Sequence, residues 1–130
     1  MVIDTSAVVA YLSDEPLAER IEQALAETPE CRMSAFNVFE CRVVLGRQFD
    51  DNMVREFELL LVTTGVEIDP FDGDQAVLAH RAYRTFGKGT KHPAQLNLGD
   101  CAAYALAKSK GMPLLFVGGD FPRTDIARVL

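Results

Sequence analysis

The sequence lacks several motifs and segments that define common protein classes. No apolar run approaches the roughly 20 residues that cross a bilayer. Neither a P-loop nor a GxGxxG pattern is present, which argues against the common nucleotide-binding sites. The first strand also lacks the DxDx(T/V) nucleophile pattern of one phosphatase class, because Asp4 is followed by Thr5 and Ser6. The N-terminus has no basic region typical of a signal peptide, so we predict a cytoplasmic protein.

Cysteine is scarce and occurs in an odd number, at positions 31, 41 and 101. No two of these residues have the spacing of a metal knuckle or a redox motif. All three lie among apolar neighbours, which favours buried, reduced thiols. A zinc site built from cysteine is therefore not expected.

Basic residues are outnumbered, with 13 Lys and Arg against 19 Asp and Glu and a net charge of −6. This balance does not favour nucleic-acid binding by general electrostatics, unless several of the carboxylates bind a divalent cation. The charges are also unevenly spread, because no acidic residue lies between Asp74 and Asp100. The basic residues of this interval are Arg81, Arg84, Lys88 and Lys91, with His80 and His92.

Short apolar strands alternate with helices along the whole chain, which predicts a parallel sheet covered on both faces. The length of 130 residues and the apolar fraction of 48% fit one globular domain. The predicted strands are 1–3, 31–33, 65–69 and 114–117, with a possible edge strand in the C-terminal tail. The predicted helices are 6–12, 17–26, 35–49, 51–61, 73–86 and 98–110, and a flexible loop at 87–93 precedes the last one.

Two carboxylates follow strands of this predicted sheet. Asp4 comes directly after the first strand, and Asp120 comes three residues after the fourth. Both are expected at the carboxyl edge of the sheet, where α/β proteins bind their ligands. Taken singly, Asp4 is better explained as a helix cap and Asp120 as a turn residue.

Two further carboxylates lie on predicted helices. Asp100 begins an apolar helix, CAAYALA, so burying it is costly unless it is paired or bound to metal. It also forms a capping-box pattern with Asn97, and the two roles do not exclude each other. Glu40 is compatible with a solvated helix face, although its mainly apolar helix also suits the border of a cleft.

Four carboxylates meeting at a sheet edge would bind a hard cation such as Mg²⁺, which prefers oxygen ligands. Such a site can activate a water molecule and stabilise charge that develops on a phosphate. The hydroxyl groups of Thr5 and Ser6 would assist as ligands for water or phosphate, or else they cap a helix.

With these residues placed, the chain resembles the PIN-domain ribonucleases, and among them the VapC-type toxins of bacterial toxin–antitoxin modules. The resemblance covers essentially the whole length. The segments that carry it are VIDTSA at 2–7, SAFNVFEC at 34–41, HPAQLNLGDCAAYALAK at 92–108, and PLLFVGGDF followed by TDI within 113–126.

The resemblance implies one PIN domain over residues 1–130, with a three-layer α/β/α fold and a central parallel sheet of four to five short strands. It implies endonucleolytic cleavage of RNA, with Mg²⁺ or Mn²⁺ bound by Asp4, Glu40, Asp100 and Asp120. Thr5, Ser6 and Asn97 are the expected auxiliary residues. A homodimer and inhibition by a VapB-type antitoxin are also implied. Asp125 is a possible further acid, although a surface or capping role suits it better.

The basic stretch then has a candidate role, since Arg81, Arg84, Lys88 and Lys91 would guide RNA to the metal site through phosphate contacts. A solvated helix face and a mobile loop explain them equally well. Two other functions stay open at this point: a standalone PIN nuclease in RNA processing, and a non-catalytic module that binds an antitoxin or another protein.

Overall fold

Four parallel strands form the centre of the computed structural model, which describes all 130 residues. The strands are β1 (Val2–Ile3), β2 (Arg32–Ser34), β3 (Glu67–Asp69) and β4 (Leu114–Leu115), in the order β3-β2-β1-β4. Six helices connect them, and a short 3₁₀ helix covers Phe121–Arg123. The helices are α1 (Thr5–Leu12), α2 (Ala18–Glu27), α3 (Ala35–Gln48), α4 (Asp51–Thr63), α5 (Gly73–Phe86) and α6 (Leu98–Lys110). The three-layer α/β/α prediction is confirmed.

Alternation along the strands divides the core between the two faces of the sheet. Val2 pairs with Leu114, and both side chains are completely buried against α5 and α6. Ile3 pairs with Leu115, and these two pack on the opposite face with α1, α2, α3 and α4. Because successive side chains of a strand point to opposite faces, two adjacent residues are enough to anchor both layers. All three cysteines are buried with free thiols.

The helix caps follow from local sequence. Ser34, Asp50 and Asp72 each accept a hydrogen bond from a backbone amide in the first turn of α3, α4 and α5. Gly111 ends α6 with a left-handed backbone (φ 63°), which glycine adopts at little cost. Of the caps considered for α1, the structure has Asp4, and Thr5 and Ser6 lie inside the helix. None of the six helices is both long and apolar enough to cross a membrane.

The two edges of the sheet differ. Beside β4, the C-terminal tail forms one parallel bridge between Arg128 and Leu114, which is less than the predicted edge strand. At the other edge, Arg32 of β2 forms salt bridges with Glu67 (2.8 Å) and Asp69 (3.1 Å) of β3. Lys110 at the end of α6 also approaches Asp69, at 3.4 Å. The open edge formed by β3 is therefore highly charged.

Candidate active site

A cleft of about 340 Å³ opens where β1 and β4 end, and its polar lining is rich in acids. Asp4 and Ser6 reach it from the segment after β1, Glu40 from the middle of α3, and Asp100 from the first turn of α6. The topology thus brings together residues that are up to 96 positions apart in the sequence. We call this feature the acidic cleft; its polar lining residues are Asp4, Thr5, Ser6, Glu15, Glu40, Asn97 and Asp100.

Asp4 is the most buried acid of the cleft, with an exposed fraction of only 2%. Its Oδ2 accepts hydrogen bonds from the backbone nitrogen (2.9 Å) and the hydroxyl group (2.5 Å) of Ser6. Its Oδ1 is buried and has no hydrogen-bond partner. Burial raises the pKa of Asp4 to about 6, and the nearby charge of Glu40 raises it further. The two hydrogen bonds from Ser6 lower this pKa, but they do not outweigh the effect of burial. Asp4 can therefore cap α1 and also act as a ligand, because capping uses only Oδ2 and leaves Oδ1 free.

Ser6 also connects Asp4 to the far side of the cleft. Its hydroxyl oxygen accepts a hydrogen bond of 3.0 Å from the backbone nitrogen of Val117, just beyond β4. β4 ends at Leu115, two residues before the predicted end at Val117. The Val117 nitrogen bonds to this hydroxyl group and not to a neighbouring strand.

Glu40 is held by two neighbouring side chains. Its Oε1 accepts hydrogen bonds from the hydroxyl group of Thr5 (2.5 Å) and from the amide of Asn37 (3.3 Å). Asn37 is completely buried, and its amide also donates to the carbonyl oxygen of Gly99 at 3.0 Å. Glu40 therefore lies at the junction of α1, α3 and α6, and a solvated helix face does not describe it.

Asp100 forms the predicted capping box with Asn97. The Asn97 side chain accepts from the Asp100 nitrogen (2.8 Å), and Asp100 Oδ2 accepts from the Asn97 nitrogen (2.9 Å). Burial raises the pKa of Asp100 to about 7, and the charges of Asp4, Asp120 and Glu40 act in the same direction. Two acids of the cleft thus hold their protons more tightly than free carboxyl groups.

The three carboxylates share one arrangement, in which one oxygen is fixed by the protein and the other accepts no hydrogen bond within the chain. Free, oriented carboxylate oxygens are the donors that a hard divalent cation requires. No group of three Asp, Glu, His or Cys side chains is tight enough to form a ready cage for a metal ion. The cleft therefore offers oriented oxygen donors of the kind that a hydrated divalent cation takes, without a closed set of three ligands.

Asp120 lies near the cleft without lining it. Its side chain is exposed, it precedes the 3₁₀ helix, and its charge contributes to the raised pKa of Asp100. Gly118 has a φ of +119°, a conformation that side chains disfavour, and it turns the chain after β4 toward Asp120. The structure therefore brings Asp4, Glu40 and Asp100 into one cleft and leaves Asp120 outside its lining.

The basic residues of the 75–99 interval are exposed on α5 and the following loop, and none of them lines the acidic cleft. The loop predicted to be flexible is hydrogen-bonded internally, with Gln95 donating to the carbonyl oxygens of Thr90 and His92. Arg123, just after Asp120, donates to the carbonyl oxygen of Pro93 at 2.9 Å. This bond joins the basic loop to the segment that carries Asp120.

Sequence reasoning did not assign a role to Asn37, Glu15 or Gly99. Asn37 lies one helical turn before Glu40 in α3, but its burial depends on the packing of α3 against α6. Glu15 lines the acidic cleft from the loop between α1 and α2, a contact without any local sequence signal. Asp125, considered as a further acid, instead accepts hydrogen bonds from Tyr104 (2.5 Å) and Lys108 (2.9 Å) of α6, which lower its pKa.

A second, apolar groove adjoins the acidic cleft and shares Glu40, Val44 and Asn97 with it. Its volume is about 460 Å³, and Phe39 and Leu98, which line it, are each 65% exposed. Large apolar side chains exposed together mark a binding surface more often than isolated ones do.

Comparison with known proteins identifies the family. The family model of the PIN domain matches residues 1–127. Ribonuclease VapC30 of Mycobacterium tuberculosis is 50% identical over 129 residues, which cover 99% of this chain and 98% of that protein. The chain therefore belongs to the PIN-domain family, within the group of VapC ribonucleases.

Solved structures share the fold at low sequence identity. The crystal structure of Mycobacterium tuberculosis VapC20, described as a sarcin–ricin loop cleaving toxin, is 17% identical with a TM-score of 0.77, covering 98% of this chain and 97% of that one. A toxin–antitoxin complex from Klebsiella pneumoniae is 18% identical with a TM-score of 0.68, covering 92% and 88%.

Proposed function

We propose that this chain is an endoribonuclease and the toxin component of a type II toxin–antitoxin system, with its active site in the acidic cleft. The observation that carries the proposal is the shared arrangement of Asp4, Glu40 and Asp100, each with one oxygen fixed and one free. Membership of the VapC group supplies the substrate class, since its named relatives are ribonucleases.

The proposed cofactor is Mg²⁺, with Mn²⁺ as a substitute, held by Asp4, Glu40 and Asp100 and completed by Asp120 from the rim. A bound divalent cation supplies charge neutralisation at the phosphate and makes a water molecule easier to deprotonate. Ser6, Thr5 and Asn97 fix the orientation of the three carboxylates through the hydrogen bonds described above. Ionisation of Asp4 and Asp100, opposed by burial, becomes favourable when a cation neutralises them.

The decisive experiment compares the purified wild type with an Asp4→Ala, Asp100→Ala double variant. Each is incubated with a pool of structured and single-stranded RNAs in Mg²⁺, in Mn²⁺ and in EDTA. We expect cleavage by the wild type that requires metal and is absent in the double variant. An Asp125→Ala variant is the matched control, because this acid lies outside the cleft, and it should cleave like the wild type.

Other results would reject parts of the proposal. Equal cleavage by the wild type and the double variant would point to a contaminating nuclease and remove support for the site. A folded wild type that binds metal but cleaves no RNA would favour the non-catalytic binding module.

The basic residues Arg81, Arg84, Lys88 and Lys91 are proposed to attract RNA toward the cleft through phosphate contacts. Their exposure and the bond from Arg123 to the loop support this role. Replacing Lys88 and Lys91 with Ala should weaken RNA binding and reduce the slope of log affinity against log salt by up to about 2. Unchanged affinity at several salt concentrations would reject the role.

We propose that residues 1–130 act as one PIN domain, in the cytoplasm, as a homodimer that a VapB-type antitoxin inhibits. The apolar groove beside the cleft supports a protein partner, because Phe39 and Leu98 are exposed there. Inhibition of cleavage by an antitoxin encoded beside the gene separates a toxin from a standalone RNA-processing nuclease. Light scattering of the purified protein measures the oligomeric state.

A further inference from the structure

The carboxylate of Glu40 occupies the space where a side chain at position 99 would lie. Gly99 is buried in the first turn of α6, and a methyl group built on it would overlap both oxygens of Glu40. All three of the closest atoms to that methyl position belong to the Glu40 carboxyl group. Glu40 and residue 99 therefore compete for one volume.

Asn37 holds the two elements together at this point. Its amide nitrogen donates to the carbonyl oxygen of Gly99 (3.0 Å) and to Glu40 Oε1 (3.3 Å), and it lies 3.4 Å from the hydroxyl oxygen of Thr5. Because an amide nitrogen carries two hydrogens, these three acceptors share two donors. The Glu40 carboxylate is thus fixed by Asn37 and Thr5 while it lies directly on the Gly99 backbone.

We propose that Gly99 is a positioning residue for the active site, since the absence of a side chain there lets the Glu40 carboxylate lie on α6. An alanine at position 99 displaces Glu40 without requiring backbone movement, because the overlapping atoms are the end of a flexible side chain. The consequence for catalysis rests on the proposed function, whereas the competition for space is a property of the metal-free chain.

A second glycine in a helix first turn shows what is particular about position 99. Gly73 begins α5, and a methyl group on it would meet no atom within 4 Å. Alanine is the better helix former, so Gly73→Ala should be neutral or stabilising. Gly99→Ala should stabilise the helix in the same way only when the Glu40 carboxylate has been removed.

The first test is a double-mutant cycle measured by thermal unfolding in EDTA, without metal or RNA. The four proteins are the wild type, Gly99→Ala, Glu40→Ala and the double variant. We expect Gly99→Ala to raise Tm in the Glu40→Ala background and to leave it unchanged or lower it in the wild-type background. Gly73→Ala should change Tm equally in both backgrounds. Equal Tm changes for Gly99→Ala in both backgrounds would overturn the proposal.

The second test is Mn²⁺ binding by calorimetry with the same proteins. Gly99→Ala should weaken Mn²⁺ affinity roughly 10- to 100-fold, the usual effect of losing the support of a ligand. It should have no further effect when Glu40 is already Ala, and Gly73→Ala should bind as the wild type does. Wild-type affinity in Gly99→Ala would also overturn the proposal. If the wild type cleaves no RNA, the proposed function fails, yet the unfolding cycle still decides whether residue 99 positions Glu40.

Discussion

Replacing Asp4 with Asn removes a buried charge whose cost depends on pH. The pKa of Asp4 is about 6 in the folded protein, against an ordinary value of 3.8, mainly because of burial. At about 1.4 kcal/mol for each pKa unit, ionising Asp4 costs the fold about 3 kcal/mol. Well below pH 3.8 the group is protonated in both the folded and unfolded states, and that stability is lost as pH rises from about 4 to about 6.

The Asp4→Asn variant does not titrate at this position, so its stability relative to the wild type should rise by about 2.5 kcal/mol between pH 4 and pH 8. Ser6 can still donate to the side-chain oxygen of the variant, while the new amide hydrogens lack an acceptor in the chain. That second effect is independent of pH, so it shifts the whole curve and leaves the rise unchanged.

The assay is urea unfolding of both proteins in EDTA at several pH values. Asp125→Asn is the control of opposite sign, because hydrogen bonds from Tyr104 and Lys108 lower the pKa of Asp125. Its stability relative to the wild type should fall as pH rises through the acidic range. If the free energies of unfolding of Asp4→Asn and the wild type differ by the same amount at every pH, the cost assigned to ionising the buried Asp4 is refuted.

Three further outcomes are expected. Mn²⁺ affinity, measured by calorimetry, should increase from pH 6 to pH 8. The reason is that Asp100 has a pKa of about 7, so protons compete with the cation for its carboxylate. An affinity that is independent of pH would contradict this expectation. Phe57→Ala should lower the free energy of unfolding by about 3–5 kcal/mol, because the Phe57 ring is completely buried. A decrease of less than about 1 kcal/mol would mean that the core closes around the cavity. Tyr104→Phe should lower the free energy of unfolding by about 1 kcal/mol at neutral pH, because it removes the hydrogen bond to Asp125. Urea unfolding at pH 3, where Asp125 is more protonated, should show a smaller decrease.

Most of the fold is predictable because local chemistry and topology agree. The caps Ser34, Asp50, Asp72 and Asn97 stand directly before helices α3 to α6, and the short apolar strands alternate with those helices. Two details differ from the prediction, and both lie beside the acidic cleft. Asp4 and not Thr5 or Ser6 caps α1, and β4 ends at Leu115, two residues before the Val117 nitrogen that donates to Ser6.

The candidate site is predictable only in part. Asp4 and Asp100 could be located because each follows a strand or begins a helix, where position along the chain fixes position in space. Glu40 required the packing of α3 on α6, which spacing along one helix does not define. Asn37 and Gly99 act at that same contact between helices, so their relation to Glu40 becomes visible only in three dimensions.

The two edges of the sheet limit how this protein can associate with other chains. An unpaired strand edge is a template on which another chain can add a strand and begin aggregation. Here the tail covers the β4 edge, where Leu114 bonds to Ala127 and Val129. At the other edge, Glu67 and Asp69 of β3 are charged and pair with Arg32 of the neighbouring strand. Strand addition is thus disfavoured at both edges. A protein that binds through the helical faces would leave the hydrogen bonds of the sheet intact.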